Sequence, residues 1–173
     1  EVHFIAKAEK SKFLMELLDK HRDERALVFG RTKHGMEKLS RMLDKAGFAA
    51  GAIHGNKSQG QRDRAIAAFK SGEIKVLVAT DVAARGLDIP HIEHVINYDL
   101  PQCAEDYIHR IGRTARAGAE GSALNLVSPS DNSKWMAIEL LMNPDAKPAR
   151  FKKEGKKKSS SKKPFKGKSK GGS

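Results

Sequence analysis

The chain has 173 residues and a formal charge of +12, but the charge is unevenly spread. Twelve of its 33 basic residues and one of its 21 acids, Glu154, lie between Lys147 and Ser173, which leaves residues 1–146 nearly neutral and makes the end a basic tail. A single cysteine, Cys103, excludes an intrachain disulfide, and no apolar run approaches the roughly 18 residues of a membrane span, so the expectation is a soluble, cytoplasmic protein without a membrane partner.

In chain order, Val2–Ile5 reads as a short strand. Ser11 is placed to cap a helix whose apolar stripe is Phe13, Leu14, Leu17 and Leu18. Ala26–Phe29 is strand-like and is followed by Gly30, Arg31 and Thr32, with Thr32 placed to cap the next helix. That helix carries Met36, Leu39, Met42 and Leu43 at helical period and stops at Gly47. Phe48–Ile53 reads as a strand ending at His54-Gly55. Ser58 and Gln61 have the spacing of a capping box, with Ala65, Ile66 and Phe69 as the apolar face behind it and Gly72 as the stop. Ile74–Ala79 is a nearly continuous apolar run, as in a strand covered on both faces. Val95-Ile96, a helix around Tyr107, the strand Ser122–Val127 and a helix through Trp135, Ile138, Leu141 and Met142 complete the series.

Strands alternate with helices across short connections, which predicts an α/β fold: a parallel sheet flanked by helices on both faces. Ligands of such sheets bind beyond the carboxyl ends of the strands. That rule selects Gly30-Arg31-Thr32, His54-Gly55 and the stretch from Thr80-Asp81 to Asp88. The core is expected over residues 1–143. Residues 144–173, rich in Lys, Ser, Gly and Pro, are expected to be a disordered basic tail suited to an acidic partner such as nucleic acid.

The stretch Tyr107–Gly118 concentrates charge: one histidine and three arginines, with no acid from His109 to Arg116. At helical spacing His109, Arg113 and Arg116 share a face, where like charges repel by a few tenths of a kcal/mol, roughly. They ask for an anion, and planar guanidinium forks suit phosphate oxygens. Ile108 and Ile111 would face the other way, toward a core. No Gly-x-x-x-x-Gly-Lys-Ser/Thr phosphate loop accompanies these arginines, since Gly55-Asn56-Lys57-Ser58 carries an inserted residue and Gly167-Lys168-Ser169 lies in the tail. Nor does an Asp-Glu pair follow a strand to hold magnesium; Asp23-Glu24 precedes one. An arginine finger can act from a different domain than the phosphate cradle, so the chain reads as half of a nucleotide-driven machine.

Four segments then carry a resemblance. His109 to Gly118 resembles the last signature motif of DEAD-box RNA helicases, and Ala79 to Asp88 the preceding one. Gln59 and Arg62 match the family's Gln-x-x-Arg element, and Phe29 to Thr32 resembles its earlier RNA-contacting motif. The match is to the second, C-terminal RecA-like domain over roughly residues 2–143; the first domain, with phosphate loop and Asp-Glu-Ala-Asp box, is not in this sequence. The resemblance implies that Arg113 and Arg116 are fingers on the γ-phosphate of ATP. It implies that Asp88 binds the ribose, and that His109 and Arg110 contact the N-terminal RecA-like domain. Arg31, Thr32, Gln59, Arg62, Thr80 and Gly86 would lie along or support the RNA path. Magnesium would be held by the N-terminal domain, and no metal ligand is assigned here. Residue by residue, Thr32 and Asp81 also suit plain capping, and His54 a structural place. The rival readings are half of a related DNA helicase, and a stand-alone RNA-binding or annealing module without ATPase activity.

Overall fold

The computed structural model describes residues 1–85, 87, 92–112 and 122–145. The expectations for Gly86, Asp88, Arg113, Arg116 and the tail from residue 146 therefore lie outside the described residues. Among the described residues no helix is long and apolar enough to cross a membrane.

Six strands form one sheet in the order β1-β6-β5-β2-β4-β3, and every pairing is parallel. They are β1 (Val2–Phe4), β2 (Ala26–Gly30), β3 (Ala50–Ile53), β4 (Val76–Thr80), β5 (His94–Asn97) and β6 (Ser122–Val127). Among the described residues six α-helices connect or follow them: α1 (Lys10–Lys20), α2 (Lys33–Lys45), α3 (Gln59–Ser71), α4 (Asp81–Ala84), α5 (Ala104–Ile111) and α6 (Asn132–Met142). The expected architecture is the one observed, a RecA-like parallel sheet with helices on both faces.

The central strands explain why both faces are covered. Because side chains alternate along a strand, Ala26 and Val28 of β2 with Val76 and Val78 of β4 point to one face. There they meet Leu14 and Leu18 of α1 and Met36, Leu39 and Leu43 of α2. Leu27, Phe29, Leu77 and Ala79 point to the other face and meet Phe69 of α3 and Ala83 and Ala84 of α4. A third cluster, Leu100, Tyr107, Val127, Trp135 and Ile138, packs α5 and α6 beside β6. Every residue of β2 is buried, as its central place in the sheet requires.

The local signals hold where they specify a hydrogen bond. Thr32 Oγ1 accepts from Gly35 N at 3.0 Å, capping α2. Ser58 and Gln61 form both halves of the capping box on α3. Gly47 and Gly72 take positive φ, 94° and 87°, where a Cβ would strain the backbone. Three details depart from expectation. Ser11 does not cap α1: a single 3-10 turn over Lys7–Glu9 leads into the helix two residues earlier, with Glu9 at the cap. Phe48 is not in β3, because its N–H donates to Leu43 O at 3.0 Å and finishes the turn after α2. Ile108 does not anchor α5: it is 45% exposed, and the buried residues of that helix are Tyr107 and Arg110. The interior-facing side of α5 is thus chosen by an aromatic and a charge.

Gly47 offers a clean test of the backbone term, since an added Cβ there meets nothing within 4 Å. Gly47→Ala should lower unfolding free energy by about 1–2 kcal/mol through the left-handed conformation alone. Gly55→Ala, equally open and without a positive φ, should change it by less than about 0.5 kcal/mol. Urea unfolding of the two variants measures the difference.

Candidate functional site

The carboxyl ends of β2, β4 and β5 lie side by side, since Gly30 pairs with Thr80 and Phe29 with Asn97. At that edge Arg110 of α5 turns inward and is 1% exposed. Its Nε and Nη2 donate to Asp81 Oδ1 and Oδ2 at 2.6 and 2.7 Å, a two-pronged pair. Its Nη1 donates to Asn97 Oδ1 at 2.9 Å and to Asp99 O at 2.6 Å. The guanidinium also lies over the Phe29 ring, 4.9 Å from its centroid. A buried guanidinium is tolerated only when its donors are matched in this way.

The network continues through the sheet. Asn97 Nδ2 donates to Asn125 Oδ1 at 2.7 Å, and Asn125 Nδ2 donates to Tyr107 Oη at 3.0 Å and to Glu1 O at 3.1 Å. Burial pushes the Tyr107 hydroxyl pKa up, against the hydrogen bond from Asn125. Strands β4, β5 and β6 and helix α5 are therefore held by one connected polar core.

Asp99 carries the network outward. Its Oδ2 accepts from Arg31 N at 3.1 Å, and its Oδ1 lies 3.7 Å from Lys10 Nζ. Lys10 is 2% exposed and donates to Tyr98 O at 2.7 Å. Burial pushes its pKa down, opposed by attraction to Asp99 and Asp131. Arg31 Nη2 sits 3.7 Å from Asp131 Oδ1. These groups, with Thr32 and Ser130, line a cleft of about 460 Å³ beyond β2, β5 and β6.

On the other side, His54 ends β3, level with Thr80 because Ile53 pairs with Ala79. His54 is 3% exposed. Its Nδ1 accepts from Asn56 N at 3.2 Å, which leaves Nε2 to donate to Glu37 Oε1 at 2.8 Å. Lys57 and Arg41 also reach Glu37, at 3.1 and 3.0 Å. The hydrogen bond from His54, then that from Lys57, lowers the Glu37 pKa to about 2.

The sequence-selected residues fall along this edge as follows. Arg31 and Thr32 follow β2 and are exposed. Thr80 ends β4, half-buried, with no side-chain cap bond to α4. Gln59 opens α3, and its Nε2 donates to Asp63 Oδ1 at 2.9 Å. Arg62 Nη2 donates to Ala83 O at 3.1 Å, while its buried Nε has no partner among the described residues. His109 is exposed beside Asp81, Arg85 and Arg110. Helix α5 ends at Ile111 with Gly112 as its cap, so the expected shared helical face of His109, Arg113 and Arg116 extends past the described helix. The expectation of an interdomain contact for Arg110 meets an inward-turned side chain with four hydrogen bonds inside the domain.

Sequence reasoning missed the partners. Asp81 reads as a turn cap, yet it is the counter-ion of Arg110. Asn97 and Asn125, both 0% exposed, are polar residues inside apolar strands. That signal was available, because a buried amide requires partners.

Residues 9–118 match the family described as helicase conserved C-terminal domain. An ATP-dependent RNA helicase, CshA, of Listeria monocytogenes is 53% identical over 141 residues, covering 80% of this chain and 27% of the helicase. The chain thus spans about a quarter of the length of the curated relatives it matches. The crystal structure of a DEAD-box protein from Methanococcus jannaschii superposes with a TM-score of 0.78 at 41% identity, covering 87% of this chain and 41% of that one. Dbp5 of Saccharomyces cerevisiae, solved with RNA and ADP BeF3, superposes at 0.77 with 34% identity, covering 85% of this chain and 39% of that one.

Two measurements follow from the geometry. Asp81→Ala leaves the buried guanidinium unpaired and should cost about 3–5 kcal/mol of stability. Combined with Arg110→Met it should cost clearly less than the sum of the two single variants, by urea unfolding of all four proteins. For Glu37, a folded pKa near 2 against an ordinary 4.5 means stabilisation that is full above about pH 4.5 and lost as pH falls toward 2. Glu37→Gln should flatten that acid loss, by about 1 kcal/mol given partial exposure, in unfolding curves at about pH 6 and about pH 3.

Proposed function

The chain belongs to the family of helicase C-terminal domains, of the DEAD-box type, and on that premise we propose that it supplies one wall of an ATP site and half of an RNA path to an ATP-dependent RNA helicase. The observation that carries this reading is the sharing of one edge. Arg31-Thr32, Gln59-Arg62, Thr80 and His109-Arg110 all stand at the carboxyl ends of the strands or on the helices that begin there.

In this reading Arg113 and Arg116, one and four residues beyond Gly112, act as fingers on the γ-phosphate from across the interdomain cleft. Guanidinium forks there neutralise charge that spreads over the phosphoryl oxygens in the transition state. Asp88 accepts a hydrogen bond from the ribose. His109 meets the N-terminal RecA-like domain, while Arg110 acts on the same surface from inside, by fixing Asp81 at the start of α4. Arg31, Thr32, Gln59, Arg62, Thr80 and Gly86 line or support the RNA backbone path. The magnesium ion that accompanies ATP is held by the N-terminal domain; this chain's carboxylates at the edge, Asp81 and Asp99, are already bound to Arg110 and Arg31. Closing the two domains on ATP and RNA would bend one strand and part a short duplex locally, in the cytoplasm, and hydrolysis would reopen the cleft. The basic tail adds sequence-independent attraction for RNA. Without a phosphate cradle the chain alone turns over no ATP.

The test joins the chain to a matching N-terminal domain. RNA-stimulated ATPase turnover should fall about 10³–10⁵-fold in Arg113→Ala or Arg116→Ala, with thermal midpoints unchanged. Arg→Lys should also fail, because a point charge does not replace the planar fork. Near-normal turnover in the Lys variants would reassign these residues to plain electrostatics.

A further inference from the structure

The opposite, amino-terminal edge of the sheet holds a second group of titratable side chains that the proposed function does not use. His21 is the residue at which α1 ends. Glu24 lies in the turn that follows, its N–H donating to His21 O at 3.0 Å. His94 opens β5, in register with Ala26 of β2 and Ser122 of β6. Two segments 70 residues apart in sequence, the α1–β2 turn and β5, thus meet at one point. Glu24 Oε1 is 2.8 Å from His21 Nδ1 and 2.6 Å from His94 Nε2. The two rings are tilted by 53° with centroids 4.6 Å apart, and the three ligand-type atoms lie within 4.8 Å of one another.

We infer that His21, Glu24 and His94 form a three-ligand site for a single zinc-class divalent cation, with a fourth position open to water. Two imidazoles and one carboxylate, with no thiolate, suit zinc and its neighbours; calcium and magnesium prefer all-oxygen ligands. Two features beyond the cluster support the assignment. His94 Nδ1 lies 2.7 Å from Ser122 Oγ, so a tautomer with the proton on Nδ1 has an acceptor ready and turns Nε2 outward as a ligand. A metal-bound imidazole characteristically has such a partner on its other nitrogen. A cleft of about 190 Å³ also opens beside His21 and Glu24, lined by Leu18, Phe48 and Lys75, and gives an ion and its water access.

The fit requires only side-chain movement. Metal–nitrogen bonds of about 2.0–2.1 Å place two ligands of a tetrahedral ion about 3.4 Å apart. His21 and Glu24 are 39% and 44% exposed, so Glu24 can back away from the two nitrogens and His21 can draw in, while His94 is 17% exposed and fixed by its strand. The nearest cation on the turn, Arg22, is paired with Asp19 at 2.8 Å. Lys75 remains as an opposing charge at the cleft mouth and favours an ion held by direct bonds over a loosely attracted one. The ion would tie the α1–β2 turn to β5, on the edge away from RNA and ATP.

The experiment titrates the full chain with cobalt(II), followed by zinc. One saturable equivalent with the visible bands of a tetrahedral centre, displaced by zinc and accompanied by a raised thermal midpoint, is the expected result. His21→Ala, at a helix end and part-exposed, should reduce cobalt affinity at least about 100-fold, and Ser122→Ala about 10-fold, as loss of an outer hydrogen-bond partner does. His94→Ala should abolish the tetrahedral spectrum. No saturable binding, or the same affinity in His21→Ala as in the parent chain, would overturn the inference. Removing Cys103 should leave cobalt binding unchanged, and a loss there would also place the ion elsewhere.

Discussion

A single buried charge governs how this domain presents its carboxyl edge. Arg110 sits where an apolar residue would be expected, on the inward side of α5, and its guanidinium is matched by Asp81, Asn97 and the carbonyl of Asp99. Such a group has few acceptable positions, because displacing it by even one rotamer strands a charge in low dielectric. Apolar packing tolerates small slides of a helix over a sheet; a two-pronged ion pair does not. The pair therefore fixes the distance between α5, which leads to the arginine-rich stretch, and α4, which begins the stretch leading to Asp88. Placement of α4 and α5 relative to each other thus becomes a property of one side chain.

The same network reaches the proposed RNA path by short steps. Asp99 accepts from the backbone of Arg31 on one oxygen and faces Lys10 on the other, so the start of α2 is tied to the end of β5. Asn97 and Asn125 extend it to β6 and Tyr107. Shared hydrogen-bond networks of this kind polarise their members and resist partial disruption. Within one rigid sheet, a shift imposed at α5 would be felt at the α2 cap through three side chains, without any movement of the hydrophobic layers.

Much of this fold could be read from the chain because its signals are local. Thr32, Ser58 with Gln61, Gly47 and Gly72 each state where a helix begins or ends, through a specific hydrogen bond or backbone angle. The apolar runs Ala26–Phe29 and Ile74–Ala79, without a polar face, state that both sheet faces are covered. The polar core was illegible for the opposite reason. Asp81 and Arg110 are 29 residues apart, and Asn97 and Asn125 are 28 apart. No periodicity relates them, and only the parallel strand order brings them together. Periodicity is also only half right for α5: Ile111 packs against the Tyr107 and Trp135 cluster as expected, but Ile108 is exposed and the helix is rotated to bury Arg110. A buried arginine overrides the pattern because the fold supplies its partners, which a linear reading does not display.

The electrostatics of the edge follow from the same pairing. Several of its bases among the described residues are matched by acids: Arg110 by Asp81, Lys10 by Asp99, Arg31 by Asp131, and Lys57 and Arg41 by Glu37. A phosphate arriving there competes with a carboxylate already in place, so the edge attracts polyanions weakly at long range. On the proposed reading, recognition would then rely on shape, backbone N–H groups and the less committed donors, such as Arg62, whose Nε has no partner among the described residues. The charge that could draw RNA from a distance lies instead in residues 147–173, where bases outnumber acids twelve to one. In the proposed function this separates encounter from discrimination: the basic segment would raise the local concentration of RNA without regard to sequence, and the edge would hold a backbone that fits. In the proposed two-domain enzyme the N-terminal RecA-like domain would then have a physical role beyond its phosphate loop, because a site whose charges are internally balanced gains most of its affinity when closure excludes water and strengthens each remaining contact.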